Sequence, residues 1–201
     1  MHKKGILYIV SAPSGSGKST LCAMMREKYP NIEYSISYTT RNPRGDEVNG
    51  REYYFVTRDI FEQMISNNEF LEWAEVHGNY YGTSKKAIEN ALNNNIDIFL
   101  DIDPQGAMQL KEKAQSAVFI FITAPSLKEL ETRLKNRATD TDKVIDLRLN
   151  NATKELGYYN KYDYIVINND KDTAFKQLEA IYIAEKLRTS HFKKIEDFIK
   201  L

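Results

Sequence analysis

Residues 6–20 read ILYIVSAPSGSGKST, an apolar run followed at once by a loop of glycine, serine and one lysine. Residues 6–10 have the length and the β-branched content of a buried strand, and a helical pattern begins at Lys18. The loop resembles the Walker A pattern of Gly, four residues and Gly-Lys-Ser/Thr, except that Ala12 stands in place of the first glycine. A flexible Gly/Ser turn is the alternative, but the flanking strand and helix favour a phosphate-binding loop.

The composition of this phosphate loop suits it to an anion. Glycine lets the backbone approach a phosphate closely, and the first N–H groups of the following helix favour negative charge. Lys18 adds a cation for the transferred phosphate, and the Ser19 hydroxyl is the predicted ligand of a Mg²⁺ ion. The predicted nucleotide-binding residues of the loop are Ala12, Pro13, Ser14, Gly15, Ser16, Gly17, Lys18, Ser19 and Thr20.

A second apolar run ends in acidic residues. Residues 98–103 read IFLDID, and an open α/β sheet presents its ligand sites at such carboxyl ends of strands. Asp101 is therefore predicted as a further ligand of Mg²⁺, either directly or through a water molecule.

Apolar runs of strand length alternate with helical patterns along the chain, which predicts a parallel sheet with helices on both faces. The runs lie at residues 6–10, 97–102, 117–122 and 164–167. Helices are predicted at residues 18–28, 58–67, 84–93, 104–114, 126–137, 143–157 and 171–188, with a last one at 190–199. Between residues 33 and 82, shorter segments such as 52–56 and 70–76 alternate in polarity and predict a small mixed or antiparallel sheet inserted into this α/β core.

Length, charge and cysteine content narrow the class of protein. The 201 residues suffice for one core domain with smaller insertions. Lys plus Arg and Asp plus Glu both number 28, so the formal charge is zero, which argues against nucleic acid as a partner. The single cysteine, Cys22, lies in an apolar helical run, is predicted to be a core residue, and fits a reducing compartment.

No segment predicts export or membrane insertion. The apolar part of the N-terminus, residues 6–10, is shorter than the roughly 7–15 residues of a signal-peptide core, and no run approaches the roughly 18 apolar residues of a membrane span. The histidines His2, His77 and His191 are scattered, so no Cys/His cluster has the spacing of a metal site. We expect a soluble, cytoplasmic protein with no membrane partner; whether it forms a homo-oligomer is left open.

Two segments imitate GTPase motifs. DPQG at residues 103–106 matches D-x-x-G, and NKYD at residues 160–163 matches N-K-x-D. In GTPases the second motif follows a strand, so that its side chains meet guanine at the carboxyl end, whereas here it precedes the predicted strand 164–167. The residues that follow this strand are Asn-Asn-Asp, at 168–170. A GTPase also gives no use to the inserted small sheet, so this interpretation is disfavoured.

Arginines cluster in two further stretches. Residues 37–55 read SYTTRNPRGDEVNGREYYF, with arginines among hydroxyl and turn-forming residues. Arg133 and Arg137 share one face of a predicted helix, and Arg148 follows on the next helix after a polar link. Arginines on loops and helix faces are usually solvated, but beside a phosphate loop they predict a lid over the transferring phosphate.

With these stretches the sequence resembles the guanylate kinases, over essentially its whole length and with five motifs in the same order. The motifs are SAPSGSGKST, SYTTRNPRGDEVNGREYYF, NNEFLEWAEVHGNYYGT, LDIDPQG and RLKNRATDTD. The resemblance implies an enzyme that transfers the γ-phosphate of ATP, with Mg²⁺, to GMP and also to dGMP; GMP yields GDP, with ADP as the other product. It implies a core domain of residues 1–32, 84–125 and 158–201, a GMP-binding insert of residues 33–83, and a lid of residues 126–157.

The matching motifs also carry residue roles over to this sequence. The resemblance implies that ATP binds the phosphate loop, that Lys18, Arg137 and Arg148 are catalytic cations, and that Arg133 is a weaker candidate. The GMP-binding residues that it implies are Arg41, Arg44, Tyr53 and Tyr81 at the phosphate, Ser37, Glu72, Thr83 and Asp103 at guanine, and Glu47 in the same segment as the arginines.

The departures from the family pattern spare the charged catalytic groups. Ala138 and Asp140 stand where the family usually has glycine and glutamate, and Thr83 keeps the hydroxyl of the common serine. The non-catalytic guanylate-kinase-like modules of scaffold proteins are the alternative class. Such modules typically lose the phosphate loop or the lid arginines, and this chain has both.

One acidic residue of the insert has a chemical reason to contact the base. Strand alternation places Glu72 on the same face as Phe70, Ala74 and Val76, where an unpaired carboxylate is costly. The adjacent N1–H and N2–H₂ donors of guanine match two carboxylate oxygens, whereas adenine presents an acceptor at N1. A neighbouring Arg or Lys is the alternative partner for this carboxylate.

Overall fold

The computed structural model of the chain describes residues 4–76, 78–136 and 142–191. Its strands are β1 Leu7–Ser11, β2 Ile32–Tyr34, β3 Tyr38–Thr39, β4 Tyr54–Phe55, β5 Phe70–Val76, β6 Asn79–Ser84, β7 Asp97–Asp101, β8 Val118–Thr123 and β9 Tyr164–Ile167. Its α-helices are α1 Lys18–Lys28, α2 Arg58–Ser66, α3 Lys85–Asn93, α4 Pro104–Lys111, α5 Leu127–Asn136, α6 Asp142–Leu156 and α7 Lys171–Lys186. Short 3₁₀ turns lie at Tyr159–Lys161 and Thr189–His191. Among these residues, no helix combines the length and the apolar character that crossing a lipid bilayer requires.

The larger sheet is parallel throughout and has the strand order β2-β7-β1-β8-β9. β1 lies in the centre, with β7 on one side and β8 on the other. Val10 near the end of β1 pairs in register with Asp101, the last residue of β7. The phosphate loop that follows Ser11 therefore begins beside Asp101, at the carboxyl edge of the sheet. The predicted α/β class with a parallel sheet is confirmed.

Alternation along β1 supplies two apolar clusters, one on each face of this sheet. Tyr8 and Val10 pack with buried side chains of α1 and α7, among them Cys22 and Leu178, so the prediction that Cys22 is a core residue is confirmed. Ile9, on the opposite face, packs with buried side chains of α3 and α4. Helices thus cover both faces, and close packing fixes the positions of the side chains at the carboxyl edge.

The smaller sheet has the strand order β4-β3-β6-β5. The pairs β3–β6 and β5–β6 are antiparallel, but β3–β4 is parallel, so the sheet is mixed rather than purely antiparallel. The parallel pair forms because residues 40–53 return the chain in a long loop instead of a tight hairpin. Gly82 of β6 lies under two aromatic rings, since an added Cβ would sit 2.8 Å from Phe70 and 2.9 Å from Phe61. A larger residue there would displace one of these rings.

Two predicted divisions of the chain can be compared with these elements. The division predicted at residue 33 falls inside β2, which pairs with β7 of the larger sheet. The two helices of the predicted lid, α5 and α6, are joined by an apolar cluster of Ala124, Leu130, Ala152 and Leu149. Residues 137–141 between these helices lie outside the described residues, as does most of the helix predicted at 190–199.

A buried carboxylate holds α7 at the amino edge of the larger sheet, opposite the phosphate loop. Asp97 is 1% exposed. Its Oδ1 accepts a hydrogen bond from the Ile6 backbone N–H at 2.9 Å, and its Oδ2 accepts from the Tyr182 hydroxyl at 2.8 Å and from Lys186 Nζ at 2.5 Å. Two of the donors come from α7 and the third directly precedes β1, so this carboxylate fixes α7 to the sheet.

Candidate active site

The phosphate loop has the backbone conformation of an anion site. Gly15 and Gly17 have φ angles of 89° and 86°, in the left-handed region that glycine adopts without strain. Gly17 is the N-cap of α1 and offers no side chain to cap it, so the first N–H groups of the helix face the loop uncapped by a side chain. The loop also packs on α5, because a Cβ at Gly15 would lie 3.4 Å from Leu134 Cγ.

Lys18 and Asp101 meet at the carboxyl edge of the larger sheet. The Lys18 ammonium forms an ion pair with Asp101 Oδ1, and the two side chains are 17% and 31% exposed. The neighbouring order of β1 and β7 creates this contact. The sequence predicted that Lys18 contacts the transferred phosphate and that Asp101 binds Mg²⁺. The structure places these two side chains in contact with each other.

The residues that the sequence assigned to Mg²⁺ have suitable chemistry. Asp101 supplies a carboxylate, and Ser19 supplies a hydroxyl in the first turn of α1, where it is exposed. Within the described ranges, no group of three or more His, Cys, Asp or Glu side chains forms a metal-binding cluster. Mg²⁺ in phosphoryl-transfer sites usually takes one or two protein oxygens and completes its shell with phosphates and water, so this donor set fits.

A cavity of about 300 Å³ lies beside this ion pair, between the smaller sheet and the carboxyl end of β7. We call it the acceptor cavity; its lining residues are Ser37, Tyr53, Glu72, Ala74, Tyr81, Gly82, Asp101, Ile102 and Asp103. A volume of this order suits a small ligand such as a mononucleotide. Five residues that the sequence assigned to GMP therefore share one cavity, together with the predicted metal ligand Asp101.

Glu72 is the buried carboxylate of the acceptor cavity. It is 6% exposed, and its Oε1 accepts a hydrogen bond of 2.6 Å from the Thr83 hydroxyl, directly across the β5–β6 pair. Burial raises the pKa of Glu72 to about 7; nearby Asp103 also raises it, and the Thr83 hydrogen bond lowers it. Within the described residues the hydrogen-bond partner of Glu72 is thus the Thr83 hydroxyl, and Glu72 forms no ion pair with an Arg or Lys side chain, although the charge of Lys113 also lowers its pKa.

A second group of cavity residues surrounds Arg41. Its guanidinium carbon lies 5.4 Å from the centre of the Tyr53 ring, and the Tyr53 and Tyr81 rings are 6.0 Å apart. Glu47 binds Arg41 with two hydrogen bonds of 2.9 Å and accepts a third, of 2.8 Å, from the backbone N–H of Arg44. This pairing lowers the pKa of Glu47 and raises that of Arg41.

Glu47 therefore holds the Arg41 side chain and the Arg44 backbone in place, a role that the sequence did not predict. The family resemblance placed Glu47 among the GMP-binding residues because of the segment in which it lies. Its two hydrogen bonds with Arg41 indicate instead that it orients the guanidinium group. Arg44 itself is exposed beside this pair. Glu47 and the Asn42 carbonyl, the latter at 2.7 Å, accept from three of the five N–H donors of Arg41.

Two backbone features fix the last residues of the acceptor cavity. Asp103 is the N-cap of α4, and its Oδ1 accepts hydrogen bonds from the backbone N–H groups of Gln105 at 2.8 Å and Gly106 at 3.0 Å. Ser37 lies just before β3, and its carbonyl accepts a 2.9 Å bond from the Tyr54 N–H. The backbone thus sets where both side chains stand at the cavity wall.

The segment that imitates N-K-x-D has a structural role. Asn160 and Lys161 lie in a 3₁₀ turn before β9. Asp163 accepts hydrogen bonds from Lys111 Nζ at 2.9 Å and from the Phe119 backbone N–H at 2.8 Å. Since these contacts lie at the amino end of β9, they do not place this segment at a nucleotide base.

The predicted lid arginines occupy different positions. Arg148 lies on α6, on the same face as the fully buried Ala152, and is partly buried. Arg133 belongs to α5, where its Nε donates to Glu129 at 2.8 Å and its Nη2 donates to the Asn168 carbonyl at 2.9 Å. Arg137 lies outside the described residues. Arg133 is therefore committed to contacts at the base of the lid.

Sequence reasoning missed two polar residues near the phosphate loop. Asn168 is 6% exposed, follows β9, and donates a hydrogen bond to the Ser16 carbonyl of the loop. Glu155 on α6 is partly buried; burial and nearby Asp103 raise its pKa, and Lys18 opposes the rise. The signal for Asn168 was its position after a strand, whereas no local pattern distinguishes Glu155 from other helical glutamates.

Comparisons with known proteins identify one family over most of the chain. A family profile described as "Guanylate kinase" matches residues 4–185. The guanylate kinase of Geobacter metallireducens is 48% identical over 189 residues, covering 94% of this chain and 93% of that protein. That of Shewanella violacea is 51% identical over 188 residues, covering 93% and 91%. The crystal structure of guanylate kinase from Anaplasma phagocytophilum shares 33% identity with a TM-score of 0.78, covering 97% of this chain and 93% of that one.

Proposed function

This chain belongs to the guanylate kinase family and is an ATP:GMP phosphotransferase, and from this premise we propose how its residues divide the work. ATP binds the phosphate loop, and GMP binds the acceptor cavity next to it. The observation that carries the assignment of GMP is the buried Glu72 carboxylate, which lines this cavity with one hydroxyl as its partner. A carboxylate so placed requires a donor-rich ligand.

Guanine supplies the donors that Glu72 lacks. In this proposal the Glu72 carboxylate accepts from N1–H and N2–H₂, while Ser37, Thr83 and Asp103 complete the contacts to the base. Adenine has an acceptor at N1, which would face the carboxylate and leave it unpaired in a buried site. Discrimination against AMP therefore follows from burial of the carboxylate as much as from its charge.

The opposite end of the acceptor cavity receives the phosphate of GMP. Arg41 offers a guanidinium fork already oriented by Glu47, Arg44 adds a second cation, and the hydroxyls of Tyr53 and Tyr81 add neutral donors. All of these contacts go to base and phosphate, so dGMP is a further acceptor in this proposal. The phosphate itself is the nucleophile, and no side chain has to remove a proton from an alcohol.

Transfer depends on cations around the γ-phosphate of ATP. Lys18 exchanges its ion pair with Asp101 for the phosphate, and Arg137 and Arg148 approach from the lid. Ser19 and Asp101 would hold Mg²⁺, which would supply positive charge against the donor phosphates. The chain's own residues align the two phosphates, exclude water and stabilise the transferring group.

A panel of nucleotides tests the assignment of ATP to the phosphate loop and of GMP to the acceptor cavity. We expect ADP release only when ATP, Mg²⁺ and an acceptor are present together, with GMP best, dGMP next, and AMP, CMP and UMP poor. The measurement is a coupled assay of ADP over acceptor concentration. Equal turnover of ATP without any monophosphate acceptor would contradict the assignment of two nucleotide sites.

Replacing Arg148 with Ala is expected to lower kcat by about 100-fold, because a cation that acts on the transferring phosphate stabilises mainly the transition state. The KM for GMP should change by less than about threefold, since Arg148 lies on α6 and not in the acceptor cavity. Steady-state kinetics measure both. Lys154→Ala, a change to an exposed cation on the same helix, serves as the control. A rise in the KM for GMP with kcat intact would remove Arg148 from the transfer step.

The raised pKa of Glu72 predicts a pH dependence of GMP binding. Since the carboxylate is the form that accepts from guanine, the KM for GMP should rise as pH falls below about 7, the pKa of Glu72 in the free enzyme. Well below that pH the rise approaches about tenfold per unit. Kinetics from pH 5.5 to pH 8 measure it, with Glu72→Gln as the control that corrects for titration of the phosphate of GMP.

The same group makes a prediction about stability. Its folded pKa of about 7 lies above the ordinary 4.5, so its contribution to stability is complete below about pH 4.5 and is lost as pH rises towards 7. Glu72→Gln, which does not ionise, should therefore gain stability relative to the parent over this range. If the KM for GMP and the Tm depended on pH in the same way in the parent and in Glu72→Gln, Glu72 would not be the group that titrates in this range.

A further inference from the structure

Asn168 is a buried amide at the point where three elements meet. It follows β9 directly and is 6% exposed. Its backbone N–H donates to the Thr123 carbonyl of β8 at 2.7 Å, and its carbonyl accepts from Arg133 Nη2 of α5 at 2.9 Å. Its side-chain Nδ2 donates to the Ser16 carbonyl of the phosphate loop at 2.8 Å. One residue thus contacts the sheet, the base of the lid and the loop.

The bond to Ser16 controls the direction of a peptide group in the loop. The carbonyl of Ser16 and the N–H of Gly17 belong to one planar trans peptide and point in opposite directions. When Asn168 holds the carbonyl on the outer side, the N–H of Gly17 is turned to the other side, where the loop encloses a phosphate. Ser16 is itself 1% exposed, so no bulk water competes for its carbonyl.

The absence of a side chain at Gly17 is part of the same arrangement. A Cβ built on Gly17 would collide with Asn168 Nδ2, the atom that makes the bond to Ser16. Glycine at this position therefore serves two purposes, since its φ of 86° suits glycine and its missing Cβ leaves room for the amide. The loop and Asn168 fit each other closely.

The second contact of Asn168 leads to the lid. Arg133 is held between Glu129 of its own helix and the Asn168 carbonyl. The next residue of α5 is Leu134, which packs against the phosphate loop at Gly15. The loop and the helix that leads to residue 137 are thus fixed to one another at this point.

We propose that Asn168 is a positioning residue of the donor site, which acts on ATP through the phosphate loop and not through the base. The proposal rests on the assignment of ATP to the phosphate loop made above. Its amide keeps the Ser16–Gly17 peptide turned so that the Gly17 N–H is directed at the phosphates, and its carbonyl aligns α5 with the same loop. Asparagine suits this position because it donates to a carbonyl while remaining neutral next to bound phosphates.

Binding of a ligand without a base tests the mechanism. Inorganic tripolyphosphate with Mg²⁺, measured as a competitive inhibitor against ATP, contacts only the phosphate part of the site. For Asn168→Ala and for Asn168→Leu, which stays neutral and keeps a similar size but loses the donor, we expect ATP and tripolyphosphate to bind more weakly by the same factor, about three- to tenfold. The KM for GMP should stay within about twofold of the parent value.

Asn94→Ala is the matched control, because it removes an amide-to-carbonyl hydrogen bond of 2.9 Å at the end of α3. It should leave the affinity of both donor-site ligands unchanged. Melting curves of all variants report whether they fold, and the neutral variant Asn168→Leu keeps the test valid if the alanine variant does not.

Two results would overturn the proposal. If ATP binding weakens while tripolyphosphate binding does not, Asn168 contacts the base or ribose and does not act through the loop. If kcat falls while every affinity is unchanged, Asn168 only maintains the fraction of folded enzyme. Failure of the assignment of ATP to the loop is a separate outcome, since the parent enzyme would then show no competition between tripolyphosphate and ATP.

Discussion

Lys18→Ala is expected to lower kcat for ATP and GMP by about 1,000-fold while the protein stays folded. The ammonium is the cation of the phosphate loop, and charge that develops on the transferring phosphoryl group in a water-excluded site depends strongly on such a donor. The side chain contributes little to the core, because it sits at the mouth of the loop with Asp101 as its partner. Single-turnover and steady-state assays with saturating ATP, GMP and Mg²⁺ measure the loss.

Lys28→Ala is the control for this change, since Lys28 is the last residue of the same helix. It pairs with Glu179 at 2.6 Å, on the side of α1 that faces α7. Its kinetics should match those of the parent protein, and both variants should melt within a few degrees of it. A Lys18→Ala enzyme with unchanged kcat would exclude the phosphate loop as the donor site.

Glu72→Gln is expected to reduce the preference for GMP over AMP, measured as the ratio of kcat/KM values, by at least about tenfold. The carboxylate offers guanine two acceptor oxygens, one of which also accepts from Thr83, whereas an amide offers one acceptor and one donor. The donor of the amide then faces N2–H₂ of guanine and is left unpaired in a buried site. The same amide is compatible with the acceptor at N1 of adenine, so the two substrates move in opposite directions.

Arg41→Met separates recognition of the base from recognition of the phosphate. It should raise the KM for GMP by about 10- to 100-fold and leave the GMP/AMP ratio nearly constant, because both nucleotides carry the same phosphate. Glu75→Gln is the matched control for Glu72→Gln, since Glu75 lies on the same strand but is exposed towards Arg58 at 3.7 Å. If Glu72→Gln left the ratio untouched, recognition of guanine would pass to Ser37, Thr83 and Asp103.

The parts of the fold that sequence predicted well are those with a strong local pattern. The bounds of α1 were predicted as 18–28 and are Lys18–Lys28, because the loop before it and the proline after it limit the helix. The four long strands of the parallel sheet were predicted within a residue or so. β2 and β3 have three and two residues and depend on partners far along the chain, so no local pattern marks them. The parallel pairing of β3 with β4 could not be predicted for the same reason.

The residues of the candidate site also differ in whether a local sequence pattern could predict their roles. The chemistry of Glu72 could be argued from strand alternation, and the structure resolved its open alternative in favour of a hydroxyl partner. The pairing of Glu47 with Arg41 depends on the fold of a loop, which residue types alone do not determine. Asn168 lies 152 positions from the residue whose carbonyl it binds, and only the tertiary structure brings the two together. The family resemblance read from the five motifs is confirmed.

The central position of β1 has a consequence for how the protein is made. β1 is made before both of its neighbours, since β7 begins at Asp97 and β8 begins at Val118. At synthesis rates of about 5–20 residues per second, its apolar side chains wait on the order of ten seconds for either partner. During that interval the nascent chain exposes an aggregation-prone strand with both edges open. Slower translation between residues 20 and 97 would lengthen this exposure, and faster translation would shorten it.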